Sequence, residues 1–159
     1  MKAFKSLAVL IVLSSVLSGC EKWKDFIPKD DKRKVYTRQN LPVNGQQEVP
    51  QRVTPALGTL DVSYDKKTKK LKYTVKWAGL TGVPTGAHIH GTAPKGVNAP
   101  VKHPFTDLIP KSTAGIFTNS VMVDGVAIKE DSLLKGFYYV NIHTATFPGG
   151  EIRGQIEFK

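Results

Sequence analysis

Cysteine is almost absent from this chain of 159 residues: Cys20 is the only one. No intrachain disulfide can form, so the fold has to rest on its own apolar core. Acidic residues are also scarce, 13 Asp and Glu against 23 Lys and Arg, which leaves a formal net charge of +10. A basic surface suits anionic lipid, polysaccharide or nucleic acid. The lysines, however, are spread through Lys22–Lys34, Lys66–Lys76 and Lys95–Lys111 and are not gathered with stacking aromatics, which argues against a nucleic-acid partner. No serine sits in a Gly-X-Ser-X-Gly turn, which disfavours a hydrolase; folding could bring Asp107, Asp124, Glu130 and Asp131 together, but their spacing marks no acid/base pair and solvated turns explain them better. Internal repeats are lacking. The one long apolar run, Leu7 to Leu17, is too short to span a bilayer.

That run follows Lys2 and Lys5 and ends in Leu17-Ser18-Gly19-Cys20. A positive start, a short apolar stretch and small residues at its end make a secretory signal. The last four residues resemble the bacterial lipoprotein signal, in which the cysteine is acylated and becomes the new N-terminus. The expectation is a signal peptide over 1–19, with Cys20 lipidated and tethering the chain to a membrane of the cell envelope. An ordinary signal peptide, or an uncleaved anchor with a stray cysteine, is the alternative. Residues 20–38 are dense in charge, as in Lys29-Asp30-Asp31-Lys32-Arg33-Lys34, and read as a spacer. Trp23 and Phe26 within it suit the lipid headgroup level or a dock on the domain.

Residues 39–159 have the size of one domain. Leu60, Val62 and Tyr64 alternate with polar residues, Asp65 to Lys69 is a polar turn, and Leu71, Tyr73, Val75 and Trp77 alternate again, which predicts a hairpin. Further period-two runs occur at Ala87–His90, Ile116–Val123, Phe137–Thr144 and Glu151–Phe158, and a first strand is expected near Gln46–Val49. The expected fold is all-β, an antiparallel Greek-key sandwich of about seven strands, immunoglobulin-like or superoxide-dismutase-like. One short helix over 128–135 is expected to end at Gly136.

The candidate chemistry lies in His88, His90, His103 and His143. Side chains alternate along a strand, so His88 and His90 share a face opposite Ala87 and Ile89, while His143 shares its face with Asn141 and Tyr139. Imidazoles with no carboxylate or thiolate among them suit copper or zinc. Histidines that merely bond loop carbonyls and water are the alternative, and His103, in the irregular run from Gly96 to Phe105, needs no role.

The segments Asn44-Gly45-Gln46-Gln47-Glu48-Val49-Pro50, Gly86-Ala87-His88-Ile89-His90-Gly91, Tyr139-Val140-Asn141-Ile142-His143-Thr144 and Phe147-Pro148-Gly149-Gly150-Glu151-Ile152-Arg153-Gly154-Gln155-Ile156 resemble the CHRD domain of chordin and of many bacterial exported proteins. The match runs from about Leu41 to Phe158. It implies a β-rich extracellular module with no settled activity, acting here as a noncatalytic binding or structural unit for a protein or glycan partner. In that reading the loops 91–105 and 144–150 hold the partner, and Glu151 and Arg153 are surface contacts. A weaker resemblance is to Cu/Zn superoxide dismutases, whose copper is held by a His-X-His pair, a loop histidine and a late histidine. It implies copper on His88, His90, His103 and His143, with Arg153 guiding an anion. The zinc-holding residues and the disulfide cysteines of that family have no counterpart here, so the resemblance implies copper alone.

Overall fold

In a computed structural model the chain is described over residues 34–159. The signal peptide, Cys20 and the charged spacer up to residue 33 lie outside the described residues. Eight strands are seen: β1 Val35–Asn44, β2 Leu57–Asp65, β3 Lys70–Ala78, β4 Gly86–Gly91, β5 Val101–Pro104, β6 Gly115–Met122, β7 Tyr138–His143 and β8 Ile152–Ile156, with one helix, α1, at Glu130–Leu134. All pairings are antiparallel, in the order β5-β4-β7-β8-β1-β2-β3-β6.

The all-β antiparallel expectation holds, with a difference in closure. Two groups of four strands are joined through a single residue pair, Asn44 with Arg153. At the far ends, Phe105 just after β5 stacks on Phe117 of β6 at 5.6 Å between ring centroids, so the sheet curls almost shut around one core. Alternation fills that core from both groups: Leu60, Val62, Tyr64, Leu71, Tyr73 and Val75 from one, and Ala87, Ile89, Val140, Ile142, Ile152 and Ile156 from the other.

The hairpin forms as its sequence predicts, and Asp65 Oδ1 accepts the N–H groups of Lys67 and Thr68 in the turn. Helix α1 ends in a Schellman cap: Gly136 has φ +76° and donates to the Leu133 carbonyl, while Phe137 donates to that of Ser132.

Two elements differ from the sequence expectation. The first strand is not at Gln46–Val49 but starts at Val35, inside the stretch read as spacer. Its first six residues are exposed or half-buried and are held by pairing with β2 rather than by an apolar face. Asn40, at φ +57°, makes the bulge that shifts its register and donates its N–H to Asp61 Oδ1. After β1 the chain makes a turn of 3-10 helix at Gly45–Gln47, and Glu48 and Arg52 both donate to the Gly45 carbonyl. The second difference is β5, a four-residue edge strand too short to show a period.

Candidate metal centre

The register of β4, β7 and β8 sorts their residues onto two faces. Ala87, Ile89, Val140, Ile142, Ile152 and Ile156 go to the core. The other face carries His88 and His90 from β4, Tyr139, Asn141 and His143 from β7, and Arg153 and Gln155 from β8. This second face is polar, yet most of it is buried: Asn141 is 2 % exposed and Arg153 is fully buried. Two loops roof it. The carbonyl of Val97 accepts from Arg153 Nη2, and Asn98 Nδ2 reaches across to the Val49 carbonyl, tying the loop after β4 to the loop after β1.

Three imidazoles meet on this face. Nδ1 of His88 lies 3.1 Å from Nε2 of His143, and one ring nitrogen from each of His88, His90 and His143 lies within 4.8 Å of the others. Two ligands of one ion at about 2.1 Å can be no more than about 4.2 Å apart. The loosest pair therefore closes by roughly half an ångström to share an ion, within the reach of small side-chain rotations.

The protons on these rings are fixed by their neighbours. His90 Nδ1 is 2.8 Å from the Ala99 carbonyl, and His143 Nδ1 is 2.8 Å from the Pro148 carbonyl. A carbonyl only accepts, and these contacts are shorter than the 3.0 Å from each Nε2 to Asn141 Oδ1, so both rings donate from Nδ1 and leave a lone pair on Nε2, turned inward. This is the way metal-binding imidazoles are commonly oriented by a second partner. Burial holds all three histidines below their usual pKa, and the neighbouring His143 and His90 push His88 further, to about 4. The rings are neutral and ready to bind a cation.

His103 is not part of the cluster. It pairs with Ile89 across β4 and β5, so its ring is on the core face, opposite His88 and His90. There it lies against Tyr73 and Phe105, with Nε2 buried and unpartnered. The expected four-histidine set is thus three histidines, because strand alternation separates the fourth from the rest.

Arg153 does not fit the role of a guide for incoming anions, which requires a guanidinium facing solvent. Its guanidinium sits 3.4 Å from the Tyr139 ring centroid, and the other neighbour of that ring is His90, stacked nearly parallel at 4.8 Å. Glu151 is no surface contact either: it is fully buried and accepts from Thr54, Thr81 and Thr144. Burial pushes its carboxyl up, but these bonds outweigh that and hold it below the usual value. The loops expected to grip a partner are instead spent in part on the site, supplying the Val97, Ala99 and Pro148 carbonyls.

Sequence reasoning did not single out Glu48 or Asn141 as site residues. Asn141 Oδ1 lies 3.0 Å from Nε2 of both His90 and His143. Glu48, 4 % exposed on the loop after β1, faces Asn141 and Arg153, and burial raises its carboxyl to about 7 against the pull of Arg153 and Arg52. Both residues lie in the quoted motifs, but only the fold shows that segments some 90 residues apart in sequence share one polar layer.

No curated protein and no solved structure matches this chain. A family model does, that of the CHRD domain, over residues 40–156. That span takes in Glu48, the three converging histidines and Arg153, and a binding or structural module is the function it suggests. The chain belongs to the CHRD-domain family.

Proposed function

We propose that this CHRD chain is a noncatalytic metal-binding module of the cell envelope, tethered through an acylated Cys20, which holds copper on His88 Nδ1, His90 Nε2 and His143 Nε2. One observation carries the metal reading: three neutral imidazoles converge, and two of them have their lone pairs fixed inward by backbone carbonyls. All-nitrogen donors suit copper or zinc, and among divalent first-row ions such a site binds Cu(II) most tightly. The tether rests on the Leu17-Ser18-Gly19-Cys20 sequence and the apolar run before it.

The test is a titration of Cu(II) and Zn(II) into the purified chain, with His88→Ala and His143→Ala alongside. One equivalent of copper, bound more tightly than zinc and lost in both variants, is expected. Unchanged binding in the variants would place copper elsewhere and end the proposal. Growth of cells with radiolabelled palmitate should label the wild type but not Cys20→Ser.

A second reading, a module for a protein or glycan partner, is favoured by one surface feature. Val53 is fully exposed and Leu57 64 % exposed beside a groove that is also lined by Asn44, Gly45, Gln51 and Arg52.

A further inference from the structure

Three side chains from three neighbouring strands form one stack on the polar face. His90 of β4 and Tyr139 of β7 are direct cross-strand partners, and their ring planes lie 1° apart with centroids separated by 4.8 Å. Arg153 of β8 places its guanidinium carbon 3.4 Å from the centroid of the Tyr139 ring. Because β7 runs between β4 and β8, the imidazole and the guanidinium lie on opposite sides of the phenol. Arg153 is fully buried, yet only its Nη2 finds oxygen acceptors, the Val97 carbonyl and Gln155 Oε1, while Nε and Nη1 have none. The face of Tyr139 is therefore a main partner of this cation, an attraction that strengthens where water is excluded.

Tyr139 holds His90 in two ways. Its ring lies flat on the imidazole and restricts rotation of that ring about the Cβ–Cγ bond. Its hydroxyl grips the peptide that sets the imidazole's proton: Ala99 donates its N–H to Tyr139 Oη at 3.2 Å, and Oη lies 3.5 Å from the Ala99 carbonyl oxygen. That same oxygen accepts from His90 Nδ1 at 2.8 Å. One residue thus governs the plane of a ligand ring by its face and, through Ala99, which ring nitrogen carries the proton.

We propose that Tyr139 is a positioning residue of the metal centre: clasped by Arg153, it presets the plane and the tautomer of His90, so that Nε2 is unprotonated and aimed before an ion arrives. The proposal rests on the copper reading above and deepens it. A ligand ordered in advance loses little freedom on binding, so the affinity of the site depends on the stack.

The test uses two readouts on the full chain. NMR of the metal-free protein with isotope-labelled histidine reports which nitrogen of His90 is protonated. Cu(II) binding against a competing chelator, with the EPR spectrum of the bound ion, reports the site itself. Circular dichroism confirms folding of each variant. In the wild type His90 is expected to be protonated at Nδ1 alone. Tyr139→Leu, which removes ring and hydroxyl together, should mix the two tautomers and raise the copper Kd about 10- to 100-fold, the usual cost of losing an outer-shell partner. It should also shift the copper hyperfine splitting, which a loss of general stability would leave alone. Tyr139→Phe keeps the stack but releases Ala99, and should fall between wild type and Tyr139→Leu. Arg153→Met removes the clasp and should change both readouts in the same direction as Tyr139→Leu. Wild-type tautomer, Kd and spectrum in Tyr139→Leu, with binding lost in His90→Ala, would overturn the positioning role and leave the copper site standing. If Tyr139→Leu does not fold, wild-type behaviour in both Tyr139→Phe and Arg153→Met overturns it instead. No copper binding by the wild type would end the copper reading and this proposal with it.

Discussion

Nδ1 of His88 and Nε2 of His143, on neighbouring strands, lie 3.1 Å apart. His143 already gives its Nδ1–H to Pro148, so in the metal-free protein the proton between the two rings belongs to His88. This pair and His90 set how the site responds to acid.

Copper should stay bound in mild acid. An imidazole of ordinary pKa begins to lose metal to protons below about pH 6.5. The three histidines here are held lower, His88 at about 4. The copper Kd, measured by chelator competition from pH 7.5 downward, is expected to begin its rise from proton competition at the histidines at a lower pH than it would for imidazoles of ordinary pKa.

His103 is expected to be dispensable for metal and a slight burden on stability. Its half-buried ring lies on the core face against Tyr73 and Phe105 with Nε2 shielded and unpartnered, and an unmet polar group there costs about 1 kcal/mol or more. His103→Leu should bind copper as tightly as the wild type and unfold at equal or higher urea concentration. Loss of copper binding in this variant would show that the fourth histidine reaches the site after all.

Glu151 is expected to be the costliest polar residue to lose. Thr54 and Thr144 each lie 2.6 Å from its carboxylate, and Thr81 donates both N–H and hydroxyl to it. Glu151→Ala would leave these donors buried without an acceptor, a loss of about 3 kcal/mol or more in urea unfolding. Glu151→Gln, which keeps one acceptor, should lose less.

Glu48 should make its own mark on the pH dependence of stability. Its carboxyl is raised in the folded protein from 4.5 to about 7, so between these values the folded state holds a proton that the unfolded state has released. That contribution is full below about pH 4.5 and is lost as pH rises through about 7. Glu48→Gln has no such group. Its stability relative to wild type should therefore climb by about 3 kcal/mol from pH 4.5 to 7.5 and then level off, as read from urea unfolding across that range. The four histidines act in the opposite sense: they are held neutral by the fold, and they destabilise both proteins alike as pH falls below about 6.5.

Most of the sheet was legible because its strands alternate. The β2–β3 hairpin, β4, β6, β7, β8 and the Gly136 cap all follow from period two or from a left-handed glycine. β1 was not, because five of its ten residues are polar or charged on a strand with little buried face, and β5 was not, because four residues carry no period. In the site, the alternation of Ala87-His88-Ile89-His90 was enough to put two imidazoles side by side.

The sequence by itself determined an all-β chain, the two-histidine face of β4 and a CHRD pattern, since these depend only on local periodicity and on residues within a few positions of each other. Pairing register and loop closure were decided by the tertiary structure alone. Register turned His103 to the core-facing side of the sheet by pairing it with Ile89. The Val97 loop closed over Arg153, and Thr54, Thr81 and Thr144 closed around Glu151, burying two charged residues that a strand pattern assigns to solvent. And the turn after β1 carried Glu48 to Asn141 across some 90 residues, a contact whose partners are set by packing of the whole sheet and by no local signal in either segment.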